Sequence, residues 1–232
     1  MYRLILMLVL LSFLIIIGLL SSFTNSDKSY DLKNSNIVYT SNGYINNVEN
    51  VRSLLSEKQF QNLIKDNEIL KVETKLKDIK SLENIDIYFN DKNEIGIKLI
   101  DRTPIAYLKD SNSLIDINAK VFEKHQLKND SLPVIKGNIT ELQIQKIINV
   151  ISAFEKDKFF KNKLKEIWFN NDHLYVTIKN LDLDLNLGDQ KKIENKLKML
   201  KGFYVYQIKN LNKNIYKQLD LVYNNRLVAI KK

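Results

Sequence analysis

The chain has 232 residues, a formal charge of +9 and no cysteine. The missing thiol excludes disulfides, thiolate nucleophiles, cysteine metal sites and lipoprotein acylation. The positive charge does not point to nucleic acid: lysine is interspersed with aspartate and glutamate, and arginine, the usual phosphate reader, occurs only at Arg3, Arg52, Arg102 and Arg226.

Residues 4–20, LILMLVLLSFLIIIGLL, hold no charge. Continued through Ser21, Ser22 and Phe23, the run reaches the roughly 20 residues needed to cross a hydrocarbon core of about 30 Å. No A-x-A-like site follows, so a retained membrane helix is expected rather than a cleaved signal peptide. Arg3 and the α-amine precede the helix, whereas Asp27 and Lys28 nearly cancel after it. Positive charge on the short side favours a cytoplasmic N-terminus and export of the remainder. A three-residue tail, residues 1–3, holds no domain, so function is expected beyond the helix.

Residues 24–36 are polar and read as a linker. Ile37, Val38 and Tyr39 make a short strand, ended by the Asn42-Gly43 turn pair. Val48, Val51, Leu54 and Leu55 repeat at helical spacing. Residues 60–69 fit neither period. A second helix is expected over residues 70–82, with Val72, Leu76 and Ile79 on one face. Ile85, Ile87 and Phe89 then alternate with Asp86 and Tyr88, and Ile95, Ile97 and Leu99 alternate again, as in a hairpin. This first part reads β-α-α-β-β, a small α+β unit.

The second part is strand-rich. Strands are expected at residues 105–109, 114–117, 121–122, 133–135, 164–169, 174–178 and 181–187. Thr140 and Gln143 form a T-x-x-Q capping box opening a helix with a stripe of Ile144, Ile147, Ile148, Ile151 and Phe154. Asp189 is the expected N-cap of a second amphipathic helix carrying Ile193, Leu197 and Leu200, which Gly202 ends or bends. Leu219, Leu221 and Tyr223 alternate, Asn224-Asn225 turns, and residues 227–230 return as a hairpin strand.

No catalytic constellation is visible. The D-x-D-x-N run Asp182, Asp184, Asn186 lacks the glycine and glutamate of a calcium loop; leucine alternation makes it a strand with those three residues solvated, and no metal site is expected. His125 and His173 read as exposed loop residues, and Trp168 as a half-buried core aromatic. There is no Gly-rich phosphate loop and no nucleophile elbow. No cofactor, small-molecule substrate or enzymatic activity is expected.

Several stretches, in order, resemble the bacterial FtsQ/DivIB cell-division family. They are Asp101-Arg102-Thr103-Pro104-Ile105-Ala106; Ile115-Asp116-Ile117-Asn118-Ala119-Lys120-Val121-Phe122, with Ala119 where the family usually has glycine; Leu132-Pro133-Val134-Ile135-Lys136-Gly137; residues 183–188 with Lys196-Leu197; and Leu219-Asp220-Leu221-Val222-Tyr223. A family tryptophan near the end of the last strand is replaced by Lys231. The resemblance implies a POTRA-like domain at 37–102 and a larger, mainly antiparallel β domain with two amphipathic helices at 103–232. It also implies a non-enzymatic scaffold of the inner (cytoplasmic) membrane at the division septum, with the bulk of the chain in the periplasm. The implied partners are FtsB-like and FtsL-like coiled-coil proteins and other divisome membrane proteins, and the implied role is regulation of septal peptidoglycan synthesis.

The partner edge is expected at Leu227, Val228, Ala229 and Ile230, with Gln218, Leu219, Asp220, Leu221, Val222 and Tyr223 as hairpin mate and flanking surface. Four consecutive apolar residues in the last strand suit an edge covered on binding. The competing readings are a membrane-anchored envelope hydrolase, which needs a pocket with two convergent carboxylates, and a POTRA-type module in protein export or outer-membrane assembly.

Overall fold

A computed structural model describes residues 12, 16, 36–40, 45, 47–66, 68–89, 95–124, 132–209 and 215–232. Ser12 and Ile16 are helical; the rest of the expected anchor and His125 lie outside the described residues. Among the described residues, no helix is long and apolar enough to cross a membrane. The chain divides into two compact units, one built from residues 47–79 and 84–99 with the segment before residue 41, the other from residues 41–46, 80–83 and 100–232.

In the first unit, β1 (Asn36–Thr40), β2 (Leu82–Phe89) and β3 (Ile95–Asp101) form a three-stranded sheet in the order β1-β3-β2. Three helices lie between β1 and β2, one more than expected: α1 (Val48–Leu55), α2 (Lys58–Lys65) and α3 (Ile69–Leu76). Each is eight residues long and buries one pair at i, i+4: Val51 with Leu55, Phe60 with Ile64, Val72 with Leu76. Residues 60–69 fit neither period in the sequence; the structure places α2 over their first part and the start of α3 at Ile69. Leu82, expected to end a helix, starts β2 instead. The expected alternation holds within β2: Ile85 is buried, Asp86 and Tyr88 exposed. Gly96 on β3 lies against the Tyr88 ring, and a Cβ there would overlap it.

The second unit is built on one nine-stranded sheet, β12-β11-β10-β9-β8-β7-β4-β5-β6. Its strands are β4 (Pro104–Leu108), β5 (Ser113–Asp116), β6 (Val121–Glu123), β7 (Val134–Ile135), β8 (Leu164–Asn170), β9 (His173–Ile178), β10 (Leu181–Gly188), β11 (Tyr216–Asp220) and β12 (Val228–Lys231). The sheet is mixed. β4 and β7, β7 and β8, and β10 and β11 run parallel, and the remaining neighbours are antiparallel. Parallel neighbours need long crossovers. The two amphipathic helices supply two of them: α4 (Glu141–Lys156) carries the chain from β7 to β8, and α5 (Ile193–Lys209) from β10 to β11.

Both helices cover one face. Ile147, Val150, Ile151 and Phe154 of α4 and Ile193, Leu197, Leu200 and Tyr204 of α5 share a core with Ile135, Ile167, Val176, Leu185 and Leu219. The α4 capping box forms as expected, Thr140 Oγ1 accepting the Gln143 N–H and Gln143 Oε1 accepting the Thr140 N–H. The start and end of α5 differ from expectation. Asp189 lies four residues before the helix, and Gly202 does not end it: the helix runs on to Lys209, with Phe203 and Tyr204 packing into the core. On the opposite face, Ile45 covers Leu114 and Phe122 at the β5–β6 end.

Candidate functional site

β12 is the end strand of the sheet among the described residues, paired antiparallel with β11 alone: Gln218 faces Ile230, Leu219 faces Ala229 and Asp220 faces Val228. The direction of its hydrogen bonds follows from two neighbours. Leu221 donates its N–H to the Asn186 carbonyl of β10 (2.8 Å), and Lys232 donates to the Ile215 carbonyl (2.9 Å). Backbone groups alternate sides with period two. Leu219 and Leu221 therefore turn theirs to β10, which leaves Gln218 and Asp220 to exchange hydrogen bonds with Ile230 and Val228. Leu219–Ala229 is the non-bonded pair, and the N–H groups of Ala229 and Lys231 point out of the sheet edge.

The expected site residues take different roles around this edge. Leu219 and Leu221 are fully buried, so their side chains support the edge from the core. Leu227 and Ala229 pack partly against that core, and Val228 and Ile230 are half-buried on the other face. Gln218 Nε2 donates to Asp220 Oδ1 (2.7 Å). Val222 and Tyr223 are exposed. Val222 lies over Gly188, where an added Cβ would come within 3.2 Å of it, and the Arg226 guanidinium sits 4.7 Å from the Tyr223 ring centre. The chain thus brings an apolar edge strand together with a projecting Val222-Tyr223 corner.

Sequence reasoning missed a second feature, on the sheet face away from the helices. Trp168 is half-buried as expected, but it lies outside the helix-covered core; it stacks on Tyr175, its register partner across β8 and β9 (5.7 Å, 18° between planes). Beside it opens a cavity of about 450 Å³ lined by Lys136, Gly137, Glu166, Trp168, Phe169 and Asp184. Two carboxylates do converge there, but Glu166 is paired with Lys136 at 2.8 Å. Burial pushes the Asp184 carboxyl up, helped by the negative charges of Glu166 and Asp182, with Lys136 opposing.

The D-x-D-x-N strand corrects one further expectation. Asp182 and Asp184 are exposed, but Asn186 is buried: its Oδ1 accepts the Gly188 N–H (3.0 Å), and its Nδ2 lies 3.4 Å from His173 Nδ1. A side chain that bonds the strand's own backbone needs no water, so polarity alone misplaced it. His173, expected in a loop, is the exposed first residue of β9. Among the described residues, no three His, Asp or Glu side chains cluster as a metal site.

Buried charges brace this unit. Lys196 of α5, 6% exposed, donates to the Leu187 carbonyl (2.5 Å), the Asp189 carbonyl (2.7 Å) and Asp189 Oδ1 (3.2 Å). Burial acts to raise the Asp189 carboxyl, but Lys196 and the Lys191 N–H outweigh it and hold the group below the usual range. Asp116, 3% exposed, accepts the Asn118 and Lys120 N–H groups (2.9 and 2.8 Å) and pairs with Arg102 (2.8 Å).

Residues 103–230, more than half of the chain, match the family described as FtsQ/DivIB, C-terminal related. The chain belongs to that family. It is therefore a cell-division protein, of a family of non-enzymatic division scaffolds. No curated protein matches it significantly. The geometry accounts for two of the FtsQ/DivIB-like stretches. Asp116 closes the β5–β6 turn in which Ala119 stands at φ 61°, the left-handed region that glycine occupies without penalty. Gly188 ends the leucine strand at φ 65°, and Lys196 clamps that end.

Proposed function

We propose that this FtsQ/DivIB-related chain is a bitopic scaffold of the division machinery, anchored through residues 4–23 with the bulk of the chain exported at the septum. Its nine-stranded unit binds FtsB-like and FtsL-like partners and so contributes to regulating septal peptidoglycan synthesis; the first unit serves as a POTRA-like recruitment module. The observation that carries this reading is the position of β12: an end strand of half-buried apolar residues whose Ala229 and Lys231 N–H groups point outward. Such an edge accepts an added strand, which supplies the missing backbone partners and covers apolar surface. Val222 and Tyr223 flank the incoming strand.

Crosslinking from native membranes tests the reading, with a photoreactive residue placed at Tyr223 or Lys231. Recovery of a coiled-coil division protein is expected. Efficient crosslinking only from the β6 edge, or to no membrane protein, would refute it. Intact mass on the membrane-extracted chain checks the anchor: a mature N-terminus near Ser22 would show a cleaved signal instead.

A further inference from the structure

The sheet face opposite the helices is covered by Ile45 at its β5–β6 end, but over β8 to β10 it carries exposed Asp182 and Asp184, half-buried Glu166 and the Trp168–Tyr175 stack. We propose that this face binds an arginine-bearing segment of a protein partner, with a guanidinium seated in the cavity between the Trp168 indole and the carboxylates of Glu166 and Asp184. The surface is separate from the β12 edge, and the inference does not rest on strand addition there.

Charge is the first argument. The chain carries +9 overall, yet Glu166 and Asp184 both line this cavity, and among the described residues its lining cation, Lys136, is engaged by Glu166 at 2.8 Å. Although Asp184 is exposed as a residue, partial desolvation of its carboxyl and the two neighbouring acids push that group up. A bound cation relieves that repulsion. The shape of the site selects the cation. Trp168 lines the cavity while Tyr175 holds its ring in place, and an indole face attracts a planar, weakly hydrated guanidinium more strongly than a compact ammonium. Guanidinium also matches paired carboxylate acceptors with its fork of donors. A metal ion fits less well, because no cluster of three ligating side chains exists among the described residues.

Trp168 is the sole tryptophan, so its fluorescence reports the site without labelling. A tetra-arginine peptide titrated into the full chain in zwitterionic detergent is expected to give a saturable change in emission. Tetra-glutamate should give none, and rising salt should weaken the response. Asp184→Asn and Glu166→Gln should each weaken binding by roughly fivefold, the scale of one charge-assisted contact at a partly wet site, with melting temperatures near the parent's. Ala229→Pro should bind the peptide like the parent, whatever it does to coiled-coil partners. An unsaturable response, an equal response to tetra-glutamate, or parent-like binding by Asp184→Asn would overturn the proposal. So would a saturable calcium response that displaces the peptide, which would make the site a metal site.

Discussion

Proline placed at neighbouring positions of β12 separates the edge's two hydrogen-bonding directions. Val228 is paired with Asp220 across the β11–β12 ladder, and its N–H faces inward; Ala229 lies opposite Leu219 in a non-bonded pair, and its N–H faces outward. Val228→Pro deletes an inward donor and strands the Asp220 carbonyl. A lost hydrogen bond with an orphaned acceptor costs about 1–3 kcal/mol, and misfit of the ring in the ladder adds to it. At roughly 2–4 °C per kcal/mol for a unit of this size, the melting temperature should fall by about 5–10 °C. Ala229→Pro removes no internal hydrogen bond. Its cost is restricted φ and a changed contact with the core, about 1 kcal/mol or less and thus a shift of about 2–4 °C. Partner binding should reverse the order of damage. Ala229→Pro removes a donor that an added strand needs and places a ring in its path, so affinity should drop by about tenfold or more, whereas Val228→Pro, assayed well below its melting point, should lose less. Thermal melts and titration with the recovered coiled-coil partner measure both. If Ala229→Pro is the less stable variant, the hydrogen-bond directions assigned here are wrong. If it is stable and binds like the parent, strand addition at β12 is wrong.

Other substitutions probe the brace of the sheet unit. Ala119→Gly should stabilise by about 0.5–1 kcal/mol, because relief of left-handed strain exceeds the added chain entropy; a lower melting temperature would contradict the φ of 61°. Lys196→Met should destabilise by about 2–4 kcal/mol, since it leaves the Leu187 and Asp189 carbonyls without their donor; an unchanged denaturation midpoint would show that the clamp is dispensable. Asp157 follows the same logic with pH: burial acts to raise its carboxyl, but the Phe159 N–H (2.8 Å) and Lys201 outweigh it and hold the group below the usual range. Its contribution is therefore complete above the unfolded carboxyl pKa and lost as pH falls through the lower folded value, so Asp157→Asn should narrow the gap to the parent on acidification. Asp184 has the opposite sign: its raised folded pKa is a cost at neutral pH, so Asp184→Asn should be neutral or stabilising at pH 7, with the difference vanishing in acid. Calcium should leave both proteins' melting curves unchanged.

The helices and strands that bury one clear stripe were legible in the residues themselves. Thr140 and Gln143 announced α4, and the leucines of β10 declared which face they bury, because side-chain direction within one element follows its own period. The apolar run at 227–230 marked a strand, which the structure places at Val228–Lys231; its end position comes from the sheet order. Period says nothing about which strand lies beside which. That β10 runs parallel to β11, that β7 joins β4 to β8, and that Glu166 and Asp184 line one cavity although β9 lies between their strands depend on pairing between segments far apart in the chain. The direction of the Ala229 N–H was equally hidden, since alternation makes neighbours differ without saying which faces inward. Only the Leu221–Asn186 and Lys232–Ile215 hydrogen bonds, made between distant segments, set that phase.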